Sequence, residues 1–188
     1  ALEPLAFLAM ALFAVYMYRK GEKSHPNKIA LFWTIGASIV SFVGAGLLGF
    51  AHTLPQTNLY THGTLVTAMH GHYAFWGAYA MIVLAIISYA LPNLTGRKRY
   101  NNTSGHMAFW LSNVGMLGMT VAFGVAGVAQ VYLERKMKLD FMDVQNEIAI
   151  HFVVLLLCAT LFTTGITLFI IEFIKYGKPT DEALIKVE

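Results

Sequence analysis

Long uninterrupted runs of apolar residues, rather than an alternation of apolar and polar positions, dominate this chain. Five runs occupy approximately residues 1–18, 29–54, 65–92, 106–133 and 147–176. A helix needs about 20 residues to cross the hydrocarbon core of a bilayer, and the last four runs reach that length. Because backbone groups in lipid must be paired within their own segment, the runs are predicted to be helices. The pattern predicts an all-α, polytopic transmembrane bundle of five spans within one domain, residues 1–188.

The first run is the shortest because the chain opens inside it, at Ala1, without an initiator methionine. We therefore expect Ala1 to be a cut boundary and further residues of the same protein to precede it.

The charged residues between the runs predict an orientation. Ten of the thirteen lysines and arginines fall in the first loop, the third loop and the C-terminal tail. The second loop, residues 55–64, has no charge, and the fourth carries acidic as well as basic residues. By the positive-inside rule, the side rich in lysine and arginine is cytoplasmic. The uncharged and acidic loops are predicted to face outward.

Composition supports a membrane protein and argues against a nucleic-acid partner. The sequence is 57% hydrophobic and 12% charged, whereas soluble domains are about 25% charged. The net charge of +3 is modest, and the basic residues sit between apolar runs, as orientation in a membrane requires. The single cysteine, Cys158, excludes an intrachain disulfide and is predicted to be a packing residue.

A glycine-rich segment, residues 44–49, matches the dinucleotide-binding pattern G-x-G-x-x-G. That motif requires a preceding strand and an acidic residue about 20 positions later, and this segment has neither. We expect its glycines to allow close approach of a neighbouring helix or a flat cofactor.

His70 and His72 are the strongest candidates for chemistry. They lie five and seven residues into the third run, about 8–10 Å below its outer end. Ionisable side chains at such depth are functional candidates. Positions i and i+2 of a helix differ by about 200°, so the rings should point to opposite sides and cannot chelate one metal. Each ring needs its own partner, which is either a heme iron or a hydrogen bond to a neighbouring helix. The spacing favours neither.

The residues around this pair resemble a known family. The similar segments are Tyr60-Thr61-His62-Gly63-Thr64, Ala68-Met69-His70-Gly71-His72, Gly77-Ala78-Tyr79-Ala80-Met81, His25-Pro26-Asn27-Lys28, Gly44-Ala45-Gly46 and Ala126-Gly127-Val128. Together they resemble the catalytic subunit of bacterial cytochrome c-dependent nitric oxide reductases, within the heme-copper oxidase superfamily. The resemblance covers essentially the whole chain and corresponds to the last five of about twelve helices in that fold.

The resemblance implies a role for each histidine of the pair and for one carboxylate. His70 would ligate the iron of a high-spin heme b, and His72 the iron of a low-spin heme b. Glu3 would lie near the non-heme iron and supply protons. Since it precedes Arg19 by about 16 residues, roughly 24 Å along a helix, its depth is similar to that of the pair. Without the resemblance, an exposed carboxylate at a helix end is the simpler interpretation of Glu3.

The resemblance also implies that the uncharged segment from Thr53 to Thr64, above the pair, would contact the heme propionates through Thr53, Asn58 and His62. Donor groups suit these anionic carboxylates, although His62 is also readily interpreted as a solvated loop residue. The resemblance further implies a calcium ion near the propionates. The ligands of the non-heme iron and the second axial ligand of the low-spin heme would lie upstream of this chain.

The implied activity is reduction of two nitric oxide molecules to nitrous oxide and water in a bacterial inner membrane, with the hemes toward the periplasm. Electrons would come from a c-type cytochrome subunit, and the other partners would be the upstream spans, the gaseous substrate and the lipid bilayer. Four alternatives remain: an oxygen-reducing relative with copper as the second metal, a quinol-dependent nitric oxide reductase, a two-heme membrane electron carrier without catalysis, and a structural bundle without heme.

Overall fold

The computed structural model describes residues 3–21, 27–95 and 102–176, nearly all of which are helical. Ala1 and the motif residues His25 and Pro26 lie outside these ranges. Within them, seven helices follow one another: α1 (Glu3–Lys20), α2 (Lys28–Ser41, continued by Phe42–Leu48 and Gly49–Thr53), α3 (Pro55–Thr61), α4 (Leu65–Phe75, continued by Trp76–Ala80 and Met81–Thr95), α5 (Asn102–Val131, continued by Tyr132–Lys136), α6 (Phe141–Glu147) and α7 (Ala149–Tyr176).

Four of these helices, rather than the five predicted, are long and apolar enough to cross a membrane within the described ranges. Their bounds, Lys28–Thr53, Leu65–Leu94, Thr103–Lys136 and Ala149–Lys175, agree with the predicted runs to within three residues. The exception is α1. Its apolar part ends before Arg19 and covers about 24 Å in the described residues, less than the roughly 30 Å of a hydrocarbon core.

The long helices pack against their neighbours in chain order, α1 on α2, α2 on α4, α4 on α5 and α5 on α7. The interface between α2 and α4 is antiparallel. At one end the Asn27 amide donates to the Ser88 carbonyl oxygen at 2.7 Å, and further along Gly44 faces the backbone of Tyr73. A Cβ atom on Gly44 would lie 2.8 Å from that backbone. The predicted close approach at residues 44–49 is therefore confirmed for Gly44.

An aromatic cluster packs the end of the bundle where α2 begins. Trp33 is fully buried and meets Trp76, Phe109 and Phe169 edge to face, with ring centroids 5.1–6.1 Å apart. Such contacts add about 0.5–1.5 kcal/mol each beyond the burial of area. Bulky side chains thus fill this end of the bundle.

Both α2 and α4 contain a π-helical turn where the two helices pack against each other. The turns span Phe42–Leu48 in α2 and Trp76–Ala80 in α4, and they contact each other. A π-helical turn pairs each N–H with the carbonyl five residues earlier, and such turns occur frequently at functional sites. The apolar pattern of the sequence predicted continuous helices here and did not indicate the turns.

The connection between α2 and α4, which contains α3, determines where along the bundle α4 begins. We call the end of the bundle at which α3 lies the α3 end. Helix α3 starts at Pro55, which suits a first helical position, and Gly63 follows it with a φ of 75°. Thr64 then caps α4 by accepting a hydrogen bond from the Val66 amide at 3.3 Å. The sequence predicted only an uncharged loop in this region.

Candidate functional site

His70 projects from α4 toward α2. Its Nδ1 lies 2.9 Å from the carbonyl oxygen of Gly44, inside the π-helical turn of α2. Because a carbonyl oxygen can only accept, Nδ1 must carry a proton, and in a neutral imidazole the lone pair is then on Nε2. Gly49 faces the same ring, and a Cβ atom there would lie 3.3 Å from its Cε1. The ring is thus oriented by a backbone contact of the kind that fixes histidine ligands of metals.

His72 projects from the opposite flank of α4. Its Nδ1 lies 2.8 Å from the carbonyl oxygen of Ala68, one turn earlier, which also leaves Nε2 with its lone pair. The ring lies against Phe123 of α5, with centroids 5.0 Å apart. The predicted separation of the two rings onto opposite sides of the helix is therefore confirmed, and neither ring uses Nε2 in a hydrogen bond that the described residues show.

A cavity of about 870 Å³ opens beside His72, between α4, α5 and α7. Its walls are almost entirely apolar and include Phe75, Tyr79 and Phe162. Gly71 also lines it, and a Cβ atom on Gly71 would meet nothing within 4 Å. Ligand and cofactor sites are typically apolar clefts of about 300–1,000 Å³ with few polar groups. The cavity can accept a flat cofactor whose metal binds His72.

Trp76 fixes one wall of this cavity. Its Nε1 donates to the Asn113 side-chain oxygen at 3.1 Å, and its ring meets Phe162 edge to face at 5.0 Å. The Asn113 amide in turn donates to the carbonyl oxygen of Phe109 at 2.8 Å. The indole is 4% exposed, so its N–H would lack an acceptor without Asn113.

His52 is a residue to which the sequence pattern assigned no role. It lies in the last turn of α2, and its ring meets that of His70 edge to face with centroids 5.0 Å apart. Both of its ring nitrogens are buried and have no hydrogen-bond partner among the described residues. The available signal in the sequence was a histidine near the C-terminal end of the preceding apolar run, residues 29–54.

The predicted propionate contacts all lie at the α3 end. Thr53 ends α2, Asn58 belongs to α3, and His62 follows α3; all three side chains are exposed. The Thr53 hydroxyl donates its proton to the Phe50 carbonyl oxygen at 2.7 Å.

Glu3 is the first residue of α1, which packs on α2, but its side chain lies outside the described part of the structure. Among the side chains that are described, no three histidine, cysteine, aspartate or glutamate residues are grouped closely enough to hold a metal ion.

The class of protein follows from the fold, the histidine pair and the sequence together. Residues 4–173 match the family described as cytochrome c and quinol oxidase polypeptide I, and the chain belongs to this family of heme-copper oxidase proteins. It is a multi-pass membrane protein. A nitric oxide reductase subunit of Stutzerimonas stutzeri is 40% identical in an alignment 186 residues long, which covers 95% of this chain and 39% of that protein. The family resemblance predicted from the motifs is confirmed, and the chain spans about two-fifths of its relative's length.

Proposed function

We propose that this chain is the heme-binding segment of a membrane-bound nitric oxide reductase, which converts two NO, two electrons and two protons to N2O and water. The observation that carries the proposal is the pair of oppositely directed imidazoles, each with Nε2 available, on one membrane helix. The 40% identity to a protein named as a subunit of nitric oxide reductase favours this activity within the family.

The described residues fit two heme groups. His70 and His72 each hold Nδ1 in a backbone hydrogen bond, and Nε2 of each would be suited to bind a heme iron. The cavity beside His72 provides apolar walls, Gly49 keeps a side chain away from the His70 ring, and Gly71 adds no side chain to the cavity. Heme b, when bound, supplies an iron that is reduced and reoxidised one electron at a time.

His70 is proposed to hold the high-spin heme b and His72 the low-spin heme b. This assignment follows the order of the two histidines in the family motif. Since both rings project from a single turn of α4, the helix itself forms a short path for electrons between them. Glu3 is proposed to transfer protons near the non-heme iron.

The remaining partners are proposed from the same relationship. The spans upstream would supply the non-heme iron ligands and the second axial ligand of the low-spin heme. A c-type cytochrome subunit would deliver electrons, in keeping with the relative's name as one subunit among others. The complex would lie in a bacterial inner membrane with the α3 end toward the periplasm, where Asn58 and His62, together with Thr53, would contact the propionates and a calcium ion.

Oxygen reduction is the second candidate activity, because the matching family is described by its oxidases. An oxidase would carry copper as the second metal. Metal analysis of the intact complex separates the two activities.

The test of the proposed ligands uses alanine variants of the intact complex. We expect His70→Ala to lose the high-spin heme signal in electron paramagnetic resonance and optical spectra, and His72→Ala to lose the low-spin signal. His106→Ala is the matched control. His106 is a half-buried histidine near the start of α5, in contact with Phe32, and its removal should leave both signals. If the His70 and His72 variants retain both hemes, the assignment is wrong.

A further inference from the structure

Trp76 lies one turn beyond His72 on the face of α4 that borders the cavity. A separation of four residues is a rotation of about 40° and a rise of about 6 Å along a helix. The backbone N–H of Trp76 donates to the carbonyl oxygen of His72, at the start of the π-helical turn. Both residues line the cavity, so a cofactor bound through His72 would meet the wall to which the indole belongs.

The indole ring is held by side chains of three other helices. Trp33 of α2 and Phe162 of α7 meet it edge to face, with ring centroids 6.1 and 5.0 Å away. Asn113 of α5 accepts the hydrogen bond from its Nε1 at 3.1 Å. These contacts leave the cavity as the open side toward which the ring can move.

Asn113 acts from behind the indole and is not among the described residues that line the cavity. Its amide also donates to the carbonyl oxygen of Phe109, one turn earlier on α5, at 2.8 Å. Polar side chains of membrane helices commonly pair with a neighbouring helix. The two hydrogen bonds therefore fix the side-chain oxygen of Asn113 in the direction of Trp76.

Loss of this acceptor would change the wall of the cavity. An indole has a single N–H donor, and a buried donor without a partner is costly. Because Trp33 and Phe162 block two sides of the ring, the N–H could escape burial only if the ring tilted toward the cavity. The shape of the cavity beside His72 thus depends on a residue that does not line it.

We propose that Asn113 holds the Trp76 indole in place as the wall against which the heme of His72 is seated, and so sets the orientation of that heme. Asn113 is a positioning residue, since it acts through Trp76. Neither residue would bind the iron or the substrate. This role rests on the proposed function, because it requires a heme at His72.

The test uses variants of the intact complex in a double-mutant cycle. Asn113→Leu has a side chain of similar size without an acceptor, and Trp76→Phe has no N–H donor. Electron paramagnetic resonance gives the g values of the low-spin heme, which depend on the orientation of its axial ligands, and the high-spin signal of the same sample. Asn93→Leu is the matched control, because Asn93 also donates to a carbonyl oxygen one turn earlier, at 2.9 Å, but is exposed.

We expect Asn113→Leu to shift the largest g value of the low-spin heme and to leave the high-spin signal unchanged. The same substitution in the Trp76→Phe background should produce no further shift, because the donor that Asn113 satisfies is already absent. Asn93→Leu should resemble the wild type. Asn113→Ala provides a second variant without an acceptor if leucine is not accommodated.

Three results would overturn the inference: an unchanged low-spin heme in both variants of Asn113, an equal change or loss of both hemes, or a shift in the Trp76→Phe background as large as that in the wild type. A wild-type complex that lacks low-spin heme refutes the proposed function itself, which distinguishes the two failures.

Discussion

Two imidazoles only two residues apart face separate surfaces of α4 because the helix turns them away from each other. His70 is held by Gly44 of the neighbouring helix, whereas His72 is held by Ala68 of its own helix. Each ring therefore presents the same nitrogen to a different surface of α4. One helix can thus carry two iron ligands without bringing them onto one metal.

The proposed role of Glu3 can be tested by a single substitution. We expect Glu3→Gln to retain both hemes but to lose turnover by about 100-fold, the order of magnitude that a positioned proton donor contributes. Nitric oxide consumption, measured per heme, reports the loss. Glu147→Gln, at an exposed position of α6, is the matched control and should be fully active. Undiminished turnover in Glu3→Gln would remove the proposed role in proton transfer.

The directions of the two rings could be predicted from the sequence, since they depend only on helical geometry. The contacts of His52 could not. Its ring reaches His70 because α2 and α4 pack closely through Gly44, and because π-helical turns alter the rotation of both helices. These features depend on tertiary packing, which one apolar run does not encode. The side chains of Thr53, Asn58 and His62 likewise remain predicted contacts of the propionates.

At the scale of elements, the point at which α4 begins determines how far along the bundle both histidines lie. A contact with α5 stabilises the first residue of α4. Gln130 of α5 is buried, and its side-chain oxygen accepts a hydrogen bond from the Leu65 amide at 2.9 Å. Its amide group donates to Glu134 at 2.8 Å. The first backbone N–H of α4 has no partner within its own helix. The neighbouring helix α5 supplies its acceptor.

Replacement of Gln130 should loosen this end of α4. We expect Gln130→Leu to speed hydrogen exchange of the Leu65 amide at least fivefold, because loss of the acceptor costs about 1 kcal/mol or more. Exchange measured by mass spectrometry over residues 60–70 reports the change. Gln56→Leu, the same substitution at an exposed position of α3, is the control. Equal exchange in the two variants would contradict the proposed capping.

The four long helices were predictable because membrane crossing demands uninterrupted apolar sequence of a fixed length. The short helices α3 and α6 were not, since seven residues at a surface produce no comparable pattern. For α1 the predicted span is not confirmed, because its apolar part is short within the described residues.

At the scale of the whole molecule, the two ends of the bundle are built differently. Aromatic side chains around Trp33 fill one end, whereas glycines, histidines and an open cavity occupy the interfaces nearer the α3 end. Many outward side chains are large and apolar, including Phe13 of α1 and Leu157 of α7. Such faces suit lipid or further membrane helices. The chain accordingly resembles one portion of a larger helical assembly, in agreement with the two-fifths of its relative that it spans.

The central claim is that this assembly holds two hemes b of unlike spin state on opposite flanks of α4. The most direct measurement is the combined optical and electron paramagnetic resonance spectrum of the intact complex, with quantitative metal analysis. We expect one high-spin and one low-spin heme b, together with non-heme iron and no copper. Copper in place of the non-heme iron would indicate an oxidase, and a complex without heme would contradict the account entirely.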